Sequence, residues 1–245
     1  MLIINADDWG VNRTCTNRIL DCYRNDRITS TTAMLFMNDS LRASEVAREH
    51  GLPVGLHLNF TREFDNTRGG AVLNDHQKRL VTYFSKSKYI RTIYNPVIRN
   101  SILYSFMSQY DEFIKIFMKT PTHVDGHHHI HLCMNIICDN IIPDNMKIRP
   151  RLCGSGGEKN ICAILYGKLI DYIIHHRYRV IGSVYKLDVS RSDSKLSEIV
   201  NRAVIQNVEL ITHPARLEEY EYLKTESYAR LISRALPGSY GSIGD

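Results

Sequence analysis

Residues 1–25 read MLIINADDWGVNRTCTNRILDCYRN. An apolar run over 2–6 ends in two adjacent aspartates, Asp7 and Asp8, and a helical pattern follows over 13–25. A short run of Ile and Leu without polar alternation is the pattern of a strand buried on both faces. Such a strand leading into a helix is half of a parallel β–α–β unit. The pairing recurs down the chain. Strands are expected at 30–36, 54–59, 122–125, 147–149, 180–184 and 209–212, and helices at 40–50, 101–119, 131–141, 161–176, 196–206 and 221–236. Seven units in 245 residues predict an α/β fold. The expected form is a single distorted (β/α) TIM-like barrel of about seven parallel strands over 1–245, with an open doubly wound sheet as the alternative. The segment 62–100 breaks the pattern. It is polar, carries TRGG and SKSK, and reads as an inserted loop region after the third strand. The tail PGSYGSIGD reads as a frayed terminus.

The bulk numbers exclude several classes. Hydrophobic residues make up 43% and charged residues 23%, as in ordinary globular domains. The net charge of +5 is spread along the chain, so no nucleic-acid footprint is expected. No apolar stretch is long enough for a membrane span. The six cysteines form no C-x-x-C pair, and no leader-like stretch opens the chain. Free thiols in a cytoplasmic protein are the expectation. CGSGGEKN at 153–160 lacks the ending of a phosphate loop and reads as a flexible loop.

The chemistry gathers where strands end. NADDWG, GLHLNF, THVDGHHHIH and ITHPA each close a β-run with unusual polar residues. In a parallel barrel all of these ends face one side, where active sites lie. One aspartate would suffice to cap the following helix, so the Asp7–Asp8 doublet points to function. His57 and Asn59 share a face by period two. THVDGHHHIH holds five histidines and one aspartate in ten residues, with His123, Asp125 and His127 on one face if the strand continues. Neutral imidazole is the commonest biological metal ligand, and Asp125 is suited to orient a ligating ring. His213 precedes Pro214, which holds it extended at the strand end, where it suits acid–base work.

In this order, LIINADDWG, ITSTTAMLFMN, VGLHLNFT, PTHVDGHHHIH, IRPR and THPA resemble the YdjC-like carbohydrate deacetylase family, which includes chitooligosaccharide deacetylases and hopanoid-associated members. The resemblance covers nearly the whole chain. It implies a distorted barrel and metal-dependent hydrolysis of the N-acetyl group of an amino sugar. It also implies Asp8, His57 and His127 as metal ligands, Asp7 as the general base and His213 as the candidate acid. The expected cofactor is one divalent ion: Mg²⁺ by resemblance, with Zn²⁺, Co²⁺, Ni²⁺ or Mn²⁺ compatible with the ligand set. Substrate contacts are expected from Trp9, Asn59 and Arg149. The expected partner is an N-acetylated sugar, and a homodimer is the default assembly. The competing readings are another barrel metallohydrolase, of phosphoesterase or amidohydrolase type, and a non-catalytic carbohydrate-binding barrel.

Overall fold

The computed structural model describes residues 1–65, 68–87, 89–153 and 161–243; most of the loop at 153–160 therefore lies outside the described residues. The strands are β1 (Leu2–Trp9), β2 (Ser30–Ala33), β3 (Val54–Leu58), β4 (Val124–Gly126), β5 (Lys147–Ile148), β6 (Arg179–Val180), β7 (Ser183–Lys186), β8 (Val208–Thr212) and β9 (Pro237–Gly238). The helices are α1 (Arg13–Arg24), α2 (Ser40–Glu49), α3 (Gly70–Ser85), α4 (Arg99–Phe117), α5 (Met134–Cys138), α6 (Ile161–Arg177), α7 (Ser192–Ile205), α8 (Leu217–Leu223) and α9 (Glu226–Ile232).

Eight strands run in the order β6-β5-β4-β3-β2-β1-β8-β7, and β9 adds to the start of β1. Every pairing is parallel. The sheet curls, because Leu152, just after β5, bridges to Val184 in β7 and the Cys153 N–H donates to the Val184 carbonyl at 2.7 Å. This is the expected distorted α/β barrel, and its parallel strands present their C-terminal ends together. The interior is dense. Gly55 in β3 has no room for a side chain, since a Cβ there would lie 2.5 Å from His123 Nδ1.

Four expectations change. The segment 62–100 is not a loop throughout: α3 runs through it. Leu73, Gln77, Leu80 and Phe84 form its buried stripe at helical spacing. Gln77 hides that stripe from a hydropathy reading. It is buried because its amide donates to the carbonyls of Asn59 and Arg62. The single strand expected at 180–184 is two strands, β6 and β7. The helix expected at 221–236 is α8 and α9, and Thr225 caps the second by accepting from the Tyr228 N–H. The tail is docked rather than frayed. Pro237–Gly238 pairs with β1, and Tyr240 is buried.

Among the described residues, no helix is long and apolar enough to cross a membrane. Cys15, Cys22, Cys133, Cys138 and Cys153 are free thiols.

Candidate active site

Neighbouring residues of a regular strand point to opposite faces, so Asp7 and Asp8 require a break in β1 to serve one pocket. The pairing register with β2 shifts between Ala6 and Trp9, and Asp8 adopts φ +74°. A non-glycine residue with positive φ is a strained conformation that clusters at functional sites. The break turns both carboxylates into a cavity of about 250 Å³ that His57, His127, His129, Lys186, His213 and Arg216 also line. A larger cavity of about 540 Å³ lies at the opposite end of the barrel, beside Leu2, Ile4, Ile28 and Ile232, with Asp26, Arg27 and Thr29 among its polar lining.

The donor atoms of Asp8, His57 and His127 lie within 4.8 Å of one another. Asp8 Oδ1 is 3.6 Å from His57 Nε2 and 3.4 Å from His127 Nδ1, and it is buried without a hydrogen bond. A buried carboxylate oxygen facing two imidazole nitrogens fits a divalent cation. His57 is prepared for that role. Its Nδ1 lies 2.8 Å from Asp125 Oδ1, which leaves Nε2 aimed at Asp8. A second grouping, Asp7, His57 and Asp125, is equally compact. Its carboxylates are already satisfied by Arg149 and its His57 Nδ1 is engaged, so the Asp8 set is the better cation site.

Burial alone would pull the His57 ring down. Asp125, then Asp7 and Asp8, more than reverse this and push it up to about 9. A pKa raised on folding from the ordinary 6.5 means that the charged ring stabilises the metal-free fold fully below about pH 6.5, and that this contribution is lost as pH rises to about 9. Chelator-treated protein is expected to lose about 3 kcal/mol across that window, read by urea denaturation at its two ends. A flat profile would exclude the His57–Asp125 pairing.

Arg149, just after β5, is fully buried. Its Nη1 and Nη2 donate to Asp7 Oδ2 and Oδ1 at 3.0 and 2.7 Å. Nη2 also lies 2.6 Å from Asp125 Oδ2, and Nε donates to Glu209 Oε1 at 2.8 Å. Tyr240 from the C-terminal tail donates to Glu209 Oε2 at 2.6 Å and stacks on His123 with ring centres 3.6 Å apart. Burial opposes ionisation of Asp7, but Arg149, with help from His57 and His213, holds its carboxyl well below the usual carboxylate range. Asp7 Oδ1 is loaded by Asn5 as well as Arg149. Oδ2 faces His213 Nε2 at 3.9 Å.

The residues expected to touch substrate are placed elsewhere. Trp9 has no exposed surface and donates its indole N–H to the Ala43 carbonyl; it is a wedge under the turn, not a sugar platform. Asn59 is fully buried, and its side-chain oxygen accepts from the N–H groups of Thr61 and Arg62 while its amide donates to the Arg62 carbonyl. Arg149 spends its donors on carboxylates. The helix expected from 131 starts late. The chain makes a tight turn over His127–Leu132 with His128 and His129 both left-handed, and α5 follows at Met134. His123 does not reach the cavity, while His129 does. Glu209, Tyr240 and Glu219 are absent from a motif reading. Glu209 alone left a signal, as a glutamate inside the otherwise apolar run VELI.

The fold and site define a parallel α/β barrel with a carboxylate–imidazole cluster at its strand ends. The chain belongs to the YdjC-like protein family, whose model matches residues 1–236. It is 33% identical over 246 residues to a chitooligosaccharide deacetylase of Yersinia pestis, covering 96% of this chain and 90% of that protein. It is 26% identical over 232 residues to a carbohydrate deacetylase of Clostridium beijerinckii, covering 93% and 86%. The crystal structure of an Enterococcus faecalis protein proposed to cleave cellobiose phosphate superposes with a TM-score of 0.73 at 20% identity, covering 100% of this chain and 98% of that one; it speaks for the fold alone.

Proposed function

We propose that this chain is a metal-dependent hydrolase that removes the N-acetyl group from an N-acetylated amino sugar or oligosaccharide and releases acetate. One observation carries the reading: Asp8, His57 and His127 converge in a cavity where Asp7 and His213 stand beside them. The names of the Yersinia and Clostridium relatives support the reaction and the sugar class. A divalent ion held by Asp8, His57 and His127 would supply Lewis acidity toward the acetyl carbonyl and its attacking water. The ligand set favours Zn²⁺, Co²⁺ and Ni²⁺ by affinity, and Mg²⁺ where availability decides.

The chain's own groups handle the protons. Asp7 Oδ2 takes a proton from the attacking water as its oxygen bonds to the acetyl carbon. Arg149 holds Asp7 ionised and fixed for that step, and Asp125 holds the His57 ring. As the carbon–nitrogen bond breaks, His213 Nε2–H gives its proton to the departing amine. The products are acetate and a free amino sugar; Asp7 then releases its proton to solvent and His213 regains one from it, which returns both groups to their starting states.

The test is acetate release from N,N′-diacetylchitobiose by protein stripped of metal and then reloaded with each ion, with Asp8→Ala alongside. Acetate is expected only from reloaded wild type, and Asp8→Ala is expected to lose both turnover and stoichiometric metal. Acetate that survives chelation would remove the metal from the reaction. A metal-loaded protein that releases no acetate from any N-acetyl sugar would remove the deacetylase reading.

A further inference from the structure

We infer that Glu219 is the positioning residue for His213, fixing which ring nitrogen carries the proton toward the cavity; this rests on the proposed role of His213 as the acid. His213 follows β8, and Pro214 turns the chain toward α8, where Glu219 lies with 4% of its surface exposed. Glu219 Oε2 accepts the backbone N–H of His213 at 2.6 Å and lies 3.6 Å from His213 Nδ1. At the other end of the ring, Nε2 lies 3.9 Å from Asp7 Oδ2 in the cavity. The ring thus spans two carboxylates, one in the cavity and one behind it.

His213 Nδ1 is buried without a hydrogen bond. A buried polar nitrogen is costly unless it finds a partner. Glu219 Oε2 is the acceptor beside it, and a small movement would bring the pair into bonding range. Such bonds in ligand-free sites are often long and tighten when substrate binds. With Nδ1–H directed at Glu219, protonation of the ring places its second proton on Nε2, where the departing amine would be. Glu219 thereby sets the orientation of the ring. Oε1 is turned away toward Arg216 Nη1 at 3.4 Å. The other charged groups lining the cavity with His213 are Asp7, Asp8, His57, Arg216 and Lys186. Among the described residues none is placed behind the ring as Glu219 is.

A double-substitution cycle tests this on the metal-loaded enzyme. Glu219→Gln keeps the volume and an acceptor for the His213 backbone N–H but removes the charge. It is expected to lower kcat by about 10- to 100-fold with KM within about twofold, and Glu219→Asp is expected to recover part of the loss. In a His213→Ala background, Glu219→Gln is expected to have no further effect. Multiplying losses, or a raised KM at unchanged kcat, would make Glu219 a packing residue and overturn the inference. Imidazole ¹⁵N shifts of His213, read at a pH where the ring is neutral, give a reading independent of turnover: an Nδ1–H tautomer is expected in wild type and a mixture in Glu219→Gln. Identical shifts would overturn the positioning role. A His213→Ala enzyme of full activity with normal tautomer shifts in wild type would instead remove the acid assignment while leaving the Glu219–His213 pair standing.

Discussion

Asp7→Asn is expected to lower kcat by about 10³- to 10⁴-fold while leaving bound metal and KM close to wild type. The substitution keeps the shape of the side chain and removes only its capacity to accept a proton. The cation site is spared, because Asp8, His57 and His127 supply its donors. Asp7 is positioned rather than merely buried: two Arg149 N–H groups and the Asn5 amide hold it. The asparagine must turn one N–H toward Arg149 or rotate away, and some loss of stability is expected to accompany the loss of turnover. Steady-state kinetics with metal analysis decides the matter. Turnover above about a tenth of wild type would transfer the base to another group. Loss of metal would mean that Asp7 acts on the cation site instead.

Arg149→Met is expected to destabilise the protein by about 3–5 kcal/mol, the cost of removing one partner from a buried ion pair. The reason is local. Arg149 is the cation shared by Asp7, Asp125 and Glu209, all essentially buried. Without it three carboxylates face one another in a region of low dielectric. Protonation would relieve that repulsion, and would also neutralise Asp7 as a base. Denaturant midpoint and turnover are therefore expected to fall together in Arg149→Met. Arg149→Lys restores the charge but not the fork that reaches three acceptors, so it is expected to recover stability better than activity. A midpoint within about 0.5 kcal/mol of wild type for Arg149→Met would mean that water or rearrangement offsets the lost cation.

The misplacements have physical causes. Over 62–100 the helix is masked because Gln77 interrupts the stripe of Leu73, Leu80 and Phe84 with a polar residue that is buried because backbone carbonyls of a distant turn accept its amide. Trp9 adjoins the aspartates in sequence, but the break at Asp8 that brings both carboxylates into the cavity leaves the indole packed beneath the turn, bonded to α2. The tail reads as unconstrained because it is rich in glycine and serine, and its long-range anchors, the pairing of Pro237–Gly238 with β1 and the contacts of Tyr240 with Glu209 and His123, exist only in the fold.

From the sequence alone came the strand–helix alternation, the parallel barrel and the gathering of Asp7, Asp8, His57, His127 and His213 at one end. Local periodicity dictates the elements, and parallel strands dictate that their ends meet. Only the tertiary structure decided how those groups are wired. Arg149 reaches Asp7 across 142 positions of chain, and His57 reaches Asp125 across 68. Such pairings are set by which charges find partners once water is excluded. That depends on three-dimensional distance and burial, which no local pattern of residues encodes.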